Sequence, residues 1–366
     1  MTARKKSKSS RRIARKPKSA KVLAIIPVIM GMGLLLGWAG WNSLNAPVET
    51  KGAKIDQTKQ VQFTVEPGTS GNQIGGKLAE AGLIKSTSGW KIWTKLQQVK
   101  SSSGGFKAGT YLLSPQEPLS AIASKIWYGE IMQTTFTIPE GWSTRQMGKY
   151  FESQGYFTAA EFETAVQEIP YAQYPWLPQN LPILEGFLYP DTYKISSDRT
   201  DSPQAIIQTM LDRFQKIALP VYEAAQPNMS LLDWVSLSSI VEKEAVIAKE
   251  RPLIAGVFTA RLQKGMRLES DPTVEYGLGI RQTADTPLTY AQVRTPSPYN
   301  TYMNTGLTPT PIAAPGIESL KATLAPESTE YLFFVARYDG THVFSKTLSE
   351  HETATREIRR QRNQQS

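Results

Sequence analysis

Residues 232–248 read LDWVSLSSIVEKEAVIA, and the apolar residues in this stretch recur at the spacing of an α-helix. At about 100° per residue, Leu237 and Ile240 fall on one side of the helix, and Glu244 falls beside them. Glu242, two residues earlier, points to nearly the opposite side. We therefore expect Glu242 to face outward and Glu244 to lie within the apolar stripe.

The predicted position of Glu244 makes it a candidate general acid. Removing a carboxylate from water raises its pKa, because desolvation disfavours the charged form. A carboxyl group with a raised pKa can donate a proton near neutral pH. The structural alternative is a buried glutamate paired with a basic side chain such as Arg261 or Arg267, and helical periodicity alone leaves both readings open.

The sequence around this helix predicts an α+β domain. Helical patterns are followed by loops rich in Pro, Gly, Tyr and Asn at residues 269–316. An Asp339-Gly340 turn between two apolar runs then predicts a β-hairpin. The helical stretches are Pro203–Ile217, Leu231–Ala248 and Ile254–Lys264, and the strands are Tyr331–Tyr338 and His342–Ser345.

An internal repeat lies before this domain. Residues 63–70 (FTVEPGTS) and residues 136–143 (FTIPEGWS) stand 73 positions apart and lead into similar sequences. Each copy predicts a short strand, a turn, a Ser cap and an amphipathic helix that ends near Gly. Such small β-α modules resemble LysM domains, which bind N-acetylated glycans; the alternative is that they only pack.

The N-terminus predicts a membrane anchor. Residues 1–21 carry ten Lys or Arg residues and no acidic residue, and Val22–Trp41 carries no charge. Twenty helical residues span the hydrocarbon core of about 30 Å. Positive charge before the helix places the N-terminus in the cytoplasm and the rest of the chain outside. A cleaved signal peptide is the alternative, although its apolar region is usually shorter.

The composition excludes several classes of protein. The chain has no cysteine, and its two histidines, His342 and His351, lie in no HExxH motif, so we expect neither a metal site nor another cofactor. Of the 41 Lys and Arg residues, ten lie in the basic tail, which leaves 31 basic and 32 acidic residues in the rest of the chain. The net charge of +9 therefore comes from the tail. The folded part therefore gives no sign of binding nucleic acid.

Several long motifs resemble one family. The motifs are SIVEKEA at 239–245, LEGFLYPDTY at 184–193, VF at 257–258 with RL at 261–262, GMRLESDPTVEYG at 265–277, SPYNTY at 297–302, and GL at 306–307 with Pro309, Pro311 and Ile312. They are similar, in the same order, to those of the MltG/YceG-type endolytic murein transglycosylases. The resemblance runs from about residue 184 to residue 352, and the N-terminal segments also fit it.

This resemblance implies that Glu244 is catalytic and that the reaction is lytic. The acid would protonate the β-1,4 oxygen between N-acetylmuramic acid (MurNAc) and N-acetylglucosamine (GlcNAc), and the 6-hydroxyl of MurNAc would then close onto C1. The chain departs from the family at Ala260, where Asn is usual, at Thr308 and Thr310, and at Glu269, where Gln is common. An added carboxylate at Glu269 is expected to repel Glu244 or to act as a second catalytic group.

We also expect substrate contacts from side chains in the same motifs, with ordinary packing as the alternative for each. Tyrosines are expected to stack on sugar rings, Asn300 to bind an acetamido group, and the acidic residues to line the cleft or cap turns. The full set is Glu185, Asp191, Glu269, Asp271, Tyr276, Tyr299, Asn300 and Tyr302.

The predicted order of segments ends in the catalytic domain. The segments are a basic cytoplasmic tail (1–21), a transmembrane helix (22–44), a linker (45–60), a LysM-like module (61–132), a second such or connecting module (133–180), the catalytic domain (181–354) and a polar tail (355–366). The expected partners are nascent peptidoglycan strands, the inner membrane and peptidoglycan synthases. The alternatives are a lysozyme-like hydrolase, with Glu269, Asp271 or Glu185 as second carboxylate, and a non-catalytic glycan-binding scaffold.

Overall fold

The protein has a mixed α+β fold, as the sequence predicts. The computed structural model describes residues 20–49, 57–100, 104–197, 200, 202–283, 286–337 and 339–365, so the predicted basic tail lies almost wholly outside the described residues. The chain divides into two compact units, residues 1–132 and residues 133–366.

The first unit holds one two-stranded sheet and four helices among its described residues. Its elements are α1 (Ala20–Asn45), β1 (Val61–Val65), α2 (Gly71–Glu80), α3 (Thr87–Lys100), β2 (Gly109–Leu113) and α4 (Leu119–Tyr128). Strands β1 and β2 pair antiparallel. Helices α2, α3 and α4 contribute to one apolar core with the sheet, around Trp90, Tyr111 and Trp127.

Helix α1 covers the predicted transmembrane segment. Within the part of the chain that the structure describes, no helix has both the length and the apolar character that crossing a membrane requires. The side chains of residues 22–30 lie outside the described residues, so the membrane anchor stays a prediction from the sequence.

The second unit carries two further two-stranded sheets, β3–β4 and β5–β6, both antiparallel. Its elements are β3 (Gln133–Thr137), α5 (Thr144–Ser153), α6 (Ala159–Ala165), β4 (Thr192–Ser196), α7 (Pro203–Ile217), α8 (Leu219–Ala225), α9 (Leu231–Glu244), α10 (Arg251–Gln263), α11 (Asp271–Leu278), α12 (Tyr290–Val293), α13 (Ile317–Leu324), β5 (Phe333–Ala336), β6 (His342–Ser345) and α14 (Leu348–Gln365). The predicted hairpin is therefore confirmed.

The internal repeat is confirmed at the level of secondary structure. Both copies run strand, helix, helix, antiparallel strand: β1-α2-α3-β2 and β3-α5-α6-β4. Ser70 and Ser143 cap the first helix of each copy, and each forms a reciprocal capping box with the Gln three residues later. The closing strand of the second copy, β4, lies beyond residue 180, inside the segment assigned to the catalytic domain.

Helix α9 occupies the centre of the second unit. The side chain of Ser230 caps its start by accepting a hydrogen bond from the backbone N–H of Asp233 at 3.0 Å. Residues 234–241 are all buried, with α10 and α13 packed against the helix. The helix ends at Glu244, four residues before the end of the predicted stretch, because Ala245 adopts an extended conformation.

The prediction of loops throughout residues 269–316 is wrong, because α11 and α12 lie there. Pro272 stands in the first turn of α11, where its missing N–H costs no hydrogen bond. Gly279 ends this helix at φ +66°, a left-handed conformation that glycine adopts without a steric penalty. Both residues were read as signs of a loop, whereas together they mark the two ends of a short helix.

Candidate active site

Glu244 stands at the edge of an open cleft in the second unit. As the last residue of α9, it leaves the packed part of that helix and remains partly buried. The cleft has a volume of about 700 Å³. Its lining includes Lys243, Glu244, Arg261, Glu269, Asp271, Glu275, Arg281, Gln282, Tyr302, Phe333 and His351.

Ser270 holds the carboxyl group of Glu244. The Ser270 hydroxyl donates a hydrogen bond of 2.6 Å to Oε1 of Glu244. The backbone N–H of Ser270 donates to Oγ1 of Thr301 at 3.0 Å, and the hydroxyl of Thr273 donates to the carbonyl of Ser270 at 2.6 Å. All three hydroxyl-bearing residues are buried. Hydrogen bonds to Thr301 and Thr273 therefore hold Ser270 in position to donate to Glu244.

The surroundings of Glu244 favour its neutral form. Burial, the largest effect, raises the pKa of Glu244 to about 7. The hydrogen bond from Ser270 lowers this pKa, while the negative charges of Asp271 and Glu275 raise it and the positive charge of Lys243 lowers it. Near neutral pH both the acid and the carboxylate of Glu244 are therefore populated.

The alternative of a structural ion pair at Glu244 finds no support. Among the described residues, no basic side chain forms an ion pair with Glu244. The guanidinium of Arg261 instead donates to backbone carbonyls, those of Leu332, Arg267 and Leu268, and to Glu269. Arg267 donates to the carbonyl of Tyr302.

Glu242 is the glutamate of this helix that has the structural role, so the prediction that it faces outward is wrong. Its side chain is only 7% exposed. It accepts hydrogen bonds from the backbone N–H of Gly316 at 3.1 Å and from the hydroxyl of Ser319 at 2.6 Å. Arg251 forms an ion pair with it at 3.4 Å. Because α9 is packed on both sides, this helix has no outward face at that position.

Asp271 lies next in the sequence to Ser270 and faces the same cleft. Its Oδ1 accepts a hydrogen bond of 2.6 Å from the phenol of Tyr302, and its Oδ2 accepts one of 3.3 Å from the side-chain amide of Gln282. The cleft thus brings together four of the residues predicted from the sequence, Glu244, Glu269, Asp271 and Tyr302.

Glu269 also lines the cleft, with an ion-pair partner of its own. Oε2 of Glu269 lies 3.2 Å from Nη1 of Arg261, and the side chain is 44% exposed. The residue adopts φ +54°, a left-handed conformation that is uncommon for residues other than glycine, asparagine and aspartate. The backbone turn at Glu269 precedes Ser270 directly and so aims that hydroxyl at Glu244.

Glu185 is fully buried and is not among the residues that line the cleft. Its carboxyl group accepts hydrogen bonds from the backbone N–H and the hydroxyl of Thr144, at the start of α5, and from the phenol of Tyr276 at 3.0 Å. Burial raises the pKa of Glu185 to about 7, although these hydrogen bonds act to lower it. The ring of Tyr276 lies edge-on to that of Tyr299, with 4.8 Å between centroids.

Asn300 and Asp191 hold backbone turns. The amide of buried Asn300 donates to the carbonyls of Val293 and Thr295, and its oxygen accepts from the backbone N–H of Tyr302. Asp191 accepts a hydrogen bond from the N–H of the next residue and forms an ion pair with Arg213 at 2.5 Å. These contacts agree with the turn-capping alternative for Asp191.

Several residues of the cleft had no role in the sequence-based account. Ser270 donates a hydrogen bond of 2.6 Å to Glu244. Three more residues line the same cleft: Lys243, Glu275 and Gln282. The charges of Lys243 and Glu275 also shift the pKa of Glu244. Ser270 lies inside the GMRLESDPTVEYG motif, directly before Asp271 and Pro272. Within the described residues, no three His, Asp or Glu side chains are grouped to hold a metal ion.

Comparisons with known proteins agree on one family. Residues 63–357 match the YceG-like family. An endolytic murein transglycosylase of Bacillus subtilis is 32% identical over 343 residues, which cover 89% of this chain and 90% of the relative. One of Streptococcus pneumoniae is 29% identical over 80% of this chain and 57% of its own length. The structure of a YceG-like protein of Listeria monocytogenes is 32% identical, covers 82% of this chain and all of its own, and superposes with a TM-score of 0.55. The chain therefore belongs to the YceG-like family, as a lytic transglycosylase.

Proposed function

We propose that the protein cuts peptidoglycan glycan strands internally, at the β-1,4 bond from MurNAc to GlcNAc, and leaves a 1,6-anhydro-MurNAc end. The observation that carries the proposal is Glu244, a carboxyl group with a pKa of about 7 at the end of a buried helix, held by Ser270 in an open cleft. The names of the murein transglycosylases that resemble the chain support the choice of substrate.

One carboxyl group is sufficient for this reaction. Protonated Glu244 gives its proton to the glycosidic oxygen while the bond from C1 of MurNAc to that oxygen breaks. The resulting carboxylate then takes the proton of the MurNAc 6-hydroxyl as O6 bonds to C1. The carboxyl group is restored and no water is consumed, whereas a hydrolase ordinarily uses a pair of carboxylates. Attack by a group of the same sugar also gains from proximity.

The other carboxylates of the cleft have partners that suit a supporting role. Asp271 accepts hydrogen bonds from Tyr302 and Gln282, and Glu269 pairs with Arg261. We assign substrate contacts to the side chains that line the cleft, Glu269, Asp271 and Tyr302. We assign a structural role to three other predicted residues, Glu185, Asn300 and Asp191, because their polar groups form hydrogen bonds or ion pairs with other residues of the protein.

The test is digestion of uncrosslinked glycan strands, with the ends identified by mass spectrometry. Wild-type protein is expected to produce anhydro-MurNAc ends. Glu244→Gln keeps the size of the side chain but removes the proton donor, so cleavage is expected to fall at least 100-fold. Glu242→Gln is the matched control in the same helix and is expected to retain cleavage per folded molecule.

The two alternatives give different products. A lysozyme-like hydrolase would leave reducing ends, with Asp271 or Glu269 as second carboxylate. A non-catalytic scaffold would bind strands and cut none. Reducing ends from the wild type would therefore overturn the lytic product, and intact strands under conditions that support a related enzyme would overturn the proposal as a whole.

We further propose that the chain is anchored in the inner membrane by residues 22–44, acts outside the cytoplasm on nascent strands beside their synthases, and so ends strand elongation. The uncharged run and the basic tail before it support the anchor. The two β-α-α-β copies are proposed to bind glycan, as their resemblance to LysM modules suggests. Fractionation of cells with and without residues 1–44 tests the anchor: release of the full-length chain by salt alone would contradict it.

A further inference from the structure

A second cavity adjoins the catalytic cleft in the second unit and differs from it in charge. It has a volume of about 230 Å³, and the start of α5, the end of α9 and the end of α11 contribute to its wall. Four residues line both cavities, so the two are neighbours along one surface: Lys243, Pro272, Glu275 and Arg281. The second cavity is called the basic pocket below.

Four basic side chains line the basic pocket: Arg145, Lys149, Lys243 and Arg281. Among the described residues of its wall, the only carboxylate is that of Glu275. No carboxylate within the described part of the chain lies in ion-pair contact with any of the four. Each of the four residues is exposed. Basic side chains gathered around a concave surface attract anions more strongly than the same charges spread apart.

The fold positions three of these cations, Arg145, Lys149 and Lys243. Arg145 and Lys149 are four residues apart on α5, so they lie on the same face of that helix. The guanidinium of Arg145 lies against Gly279 so closely that a Cβ there would stand 2.7 Å from Nη1. The ammonium of Lys243 donates to the carbonyl of Gly141 at 3.3 Å. The positive end of α5, capped by Ser143, faces the same space.

The size and place of the basic pocket indicate what kind of ligand fits. Sites for whole small molecules occupy about 300–1,000 Å³, so this pocket suits a substituent of a larger ligand. Lys243 lies between the pocket and Glu244, so such a substituent would belong to a sugar bound close to the scissile bond. Arg and Lys side chains hold carboxylates and phosphates by charge-assisted hydrogen bonds.

We propose that the basic pocket is a subsite for an anionic group carried by the glycan strand, and that it makes the protein prefer charged strands to bare ones. This inference rests on the proposed function. Two sources on a strand offer the required anionic oxygens: the carboxylates of the peptide stem on MurNAc, and the pyrophosphate at a lipid-linked end. The basic side chains of the basic pocket suit either anion, and the three substrates of the test distinguish between the carboxylates and the pyrophosphate.

The test compares kcat/KM for three substrates: strands with peptide stems, strands stripped of stems by an amidase, and stripped strands that keep a lipid pyrophosphate. The double variant Arg145→Gln/Lys149→Gln is expected to reduce the preference for charged over bare strands about tenfold, mainly through KM. Arg145→Lys/Lys149→Arg keeps both charges and is expected to restore most of the preference. Lys194→Gln/Lys216→Gln removes two exposed charges that line neither cavity and is the charge-matched control.

The outcomes separate this inference from the proposed function. Loss of preference for stem-bearing strands assigns the pocket to the peptide, and loss only for lipid-linked strands assigns it to the pyrophosphate. If the wild type cuts strands but the double variant lowers kcat/KM equally on all three substrates, or on none, the subsite is refuted while the function stands. Failure of the wild type to cut any strand refutes the function itself. Binding of a soluble muropeptide to Glu244→Gln protein, measured with and without the double variant, reports on the pocket without turnover.

Discussion

At the scale of single residues, the proposed chemistry depends on the position of Glu244 in its helix. One turn earlier it would be buried in the protein core, as Ile240 and Val241 are, and out of reach of a substrate. One turn later, at the exposed position of Ala248, it would lie beyond the end of α9 and lose the burial that raises its pKa to about 7. The end of α9 provides both burial and access.

The first prediction concerns two neighbours of Glu244 that act in opposite directions. Ser270→Ala removes a donor that stabilises the carboxylate, so the pKa of Glu244 is expected to rise and the alkaline limb of kcat/KM to move to higher pH. Asp271→Asn removes a negative charge that disfavours the carboxylate, so the same limb is expected to move to lower pH. Both shifts are measured from pH–rate profiles. Shifts of the same sign would show that the limb belongs to another group.

The second prediction concerns Glu269, which the sequence indicates as a candidate second catalytic group. Because Glu269 is paired with Arg261, and the carboxylates that act on Glu244 are Asp271 and Glu275, Glu269→Gln is expected to keep kcat within about threefold. Cleavage of glycan strands and the identity of the ends measure this. A loss of 100-fold or a change in the ends would make Glu269 a second catalytic group.

At the scale of elements, α9 carries two glutamates two positions apart with separate tasks. Glu242 accepts hydrogen bonds from the backbone N–H of Gly316, the residue before α13, and from the hydroxyl of Ser319 within α13, and it forms an ion pair with Arg251. Such a contact joins the end of one helix to the start of another, while Glu244 is left to the cleft. Helix packing therefore depends on Glu242, and the proposed catalysis depends on Glu244.

The third prediction follows from this separation. Glu242→Gln leaves Arg251 without its buried partner and is expected to lower the free energy of unfolding by about 1–3 kcal/mol, with cleavage per folded molecule retained. Glu244→Gln is expected to leave the stability at pH 7 unchanged or higher, because a carboxyl group with a raised pKa is costly to ionise there, and to abolish cleavage. Urea unfolding beside the cleavage assay checks both; a loss of activity from both variants with stability intact would contradict the assignment.

The same helix illustrates how far the sequence alone could lead. Periodicity predicted a buried position for Glu244 beside Leu237 and Ile240, and the structure places its carboxyl group at the buried end of α9. The capping residues Ser70 and Ser143 located the repeated helices. The prediction that Glu242 faces outward failed because periodicity assumes that one side of the helix is buried and the other is exposed to solvent. In the structure, α13 covers the side of α9 that carries Glu242. Ser270 was missed for another reason: its contact with Glu244 joins residues 26 positions apart, and no local pattern records such a contact.

At the scale of the whole molecule, the described residues of the site come from one unit. The elements that line the cleft and the basic pocket all lie within residues 133–366: α5, α9, α10, α11, the β5–β6 hairpin and α14. The second copy of the repeat supplies part of this wall through Gly141 and Ser143, whereas the corresponding turn of the first copy, at Gly68, has open space around it.

The last prediction concerns the response of the whole fold to pH. Glu185 and Glu244 both have pKa values raised to about 7, well above the ordinary value near 4.5. Each therefore contributes stability that is fully present below about pH 4.5 and is lost as the pH rises through 7, since the unfolded chain ionises first. Relative to the double variant Glu185→Gln/Glu244→Gln, the wild type is expected to lose free energy of unfolding between pH 5 and pH 7.5, whereas Glu161→Gln, at an exposed helix start, leaves that slope unchanged. Chemical unfolding at several pH values measures the difference. A wild-type advantage that grows with pH would mean that both carboxyl groups are held as anions, and that Glu244 has no proton to give near neutral pH.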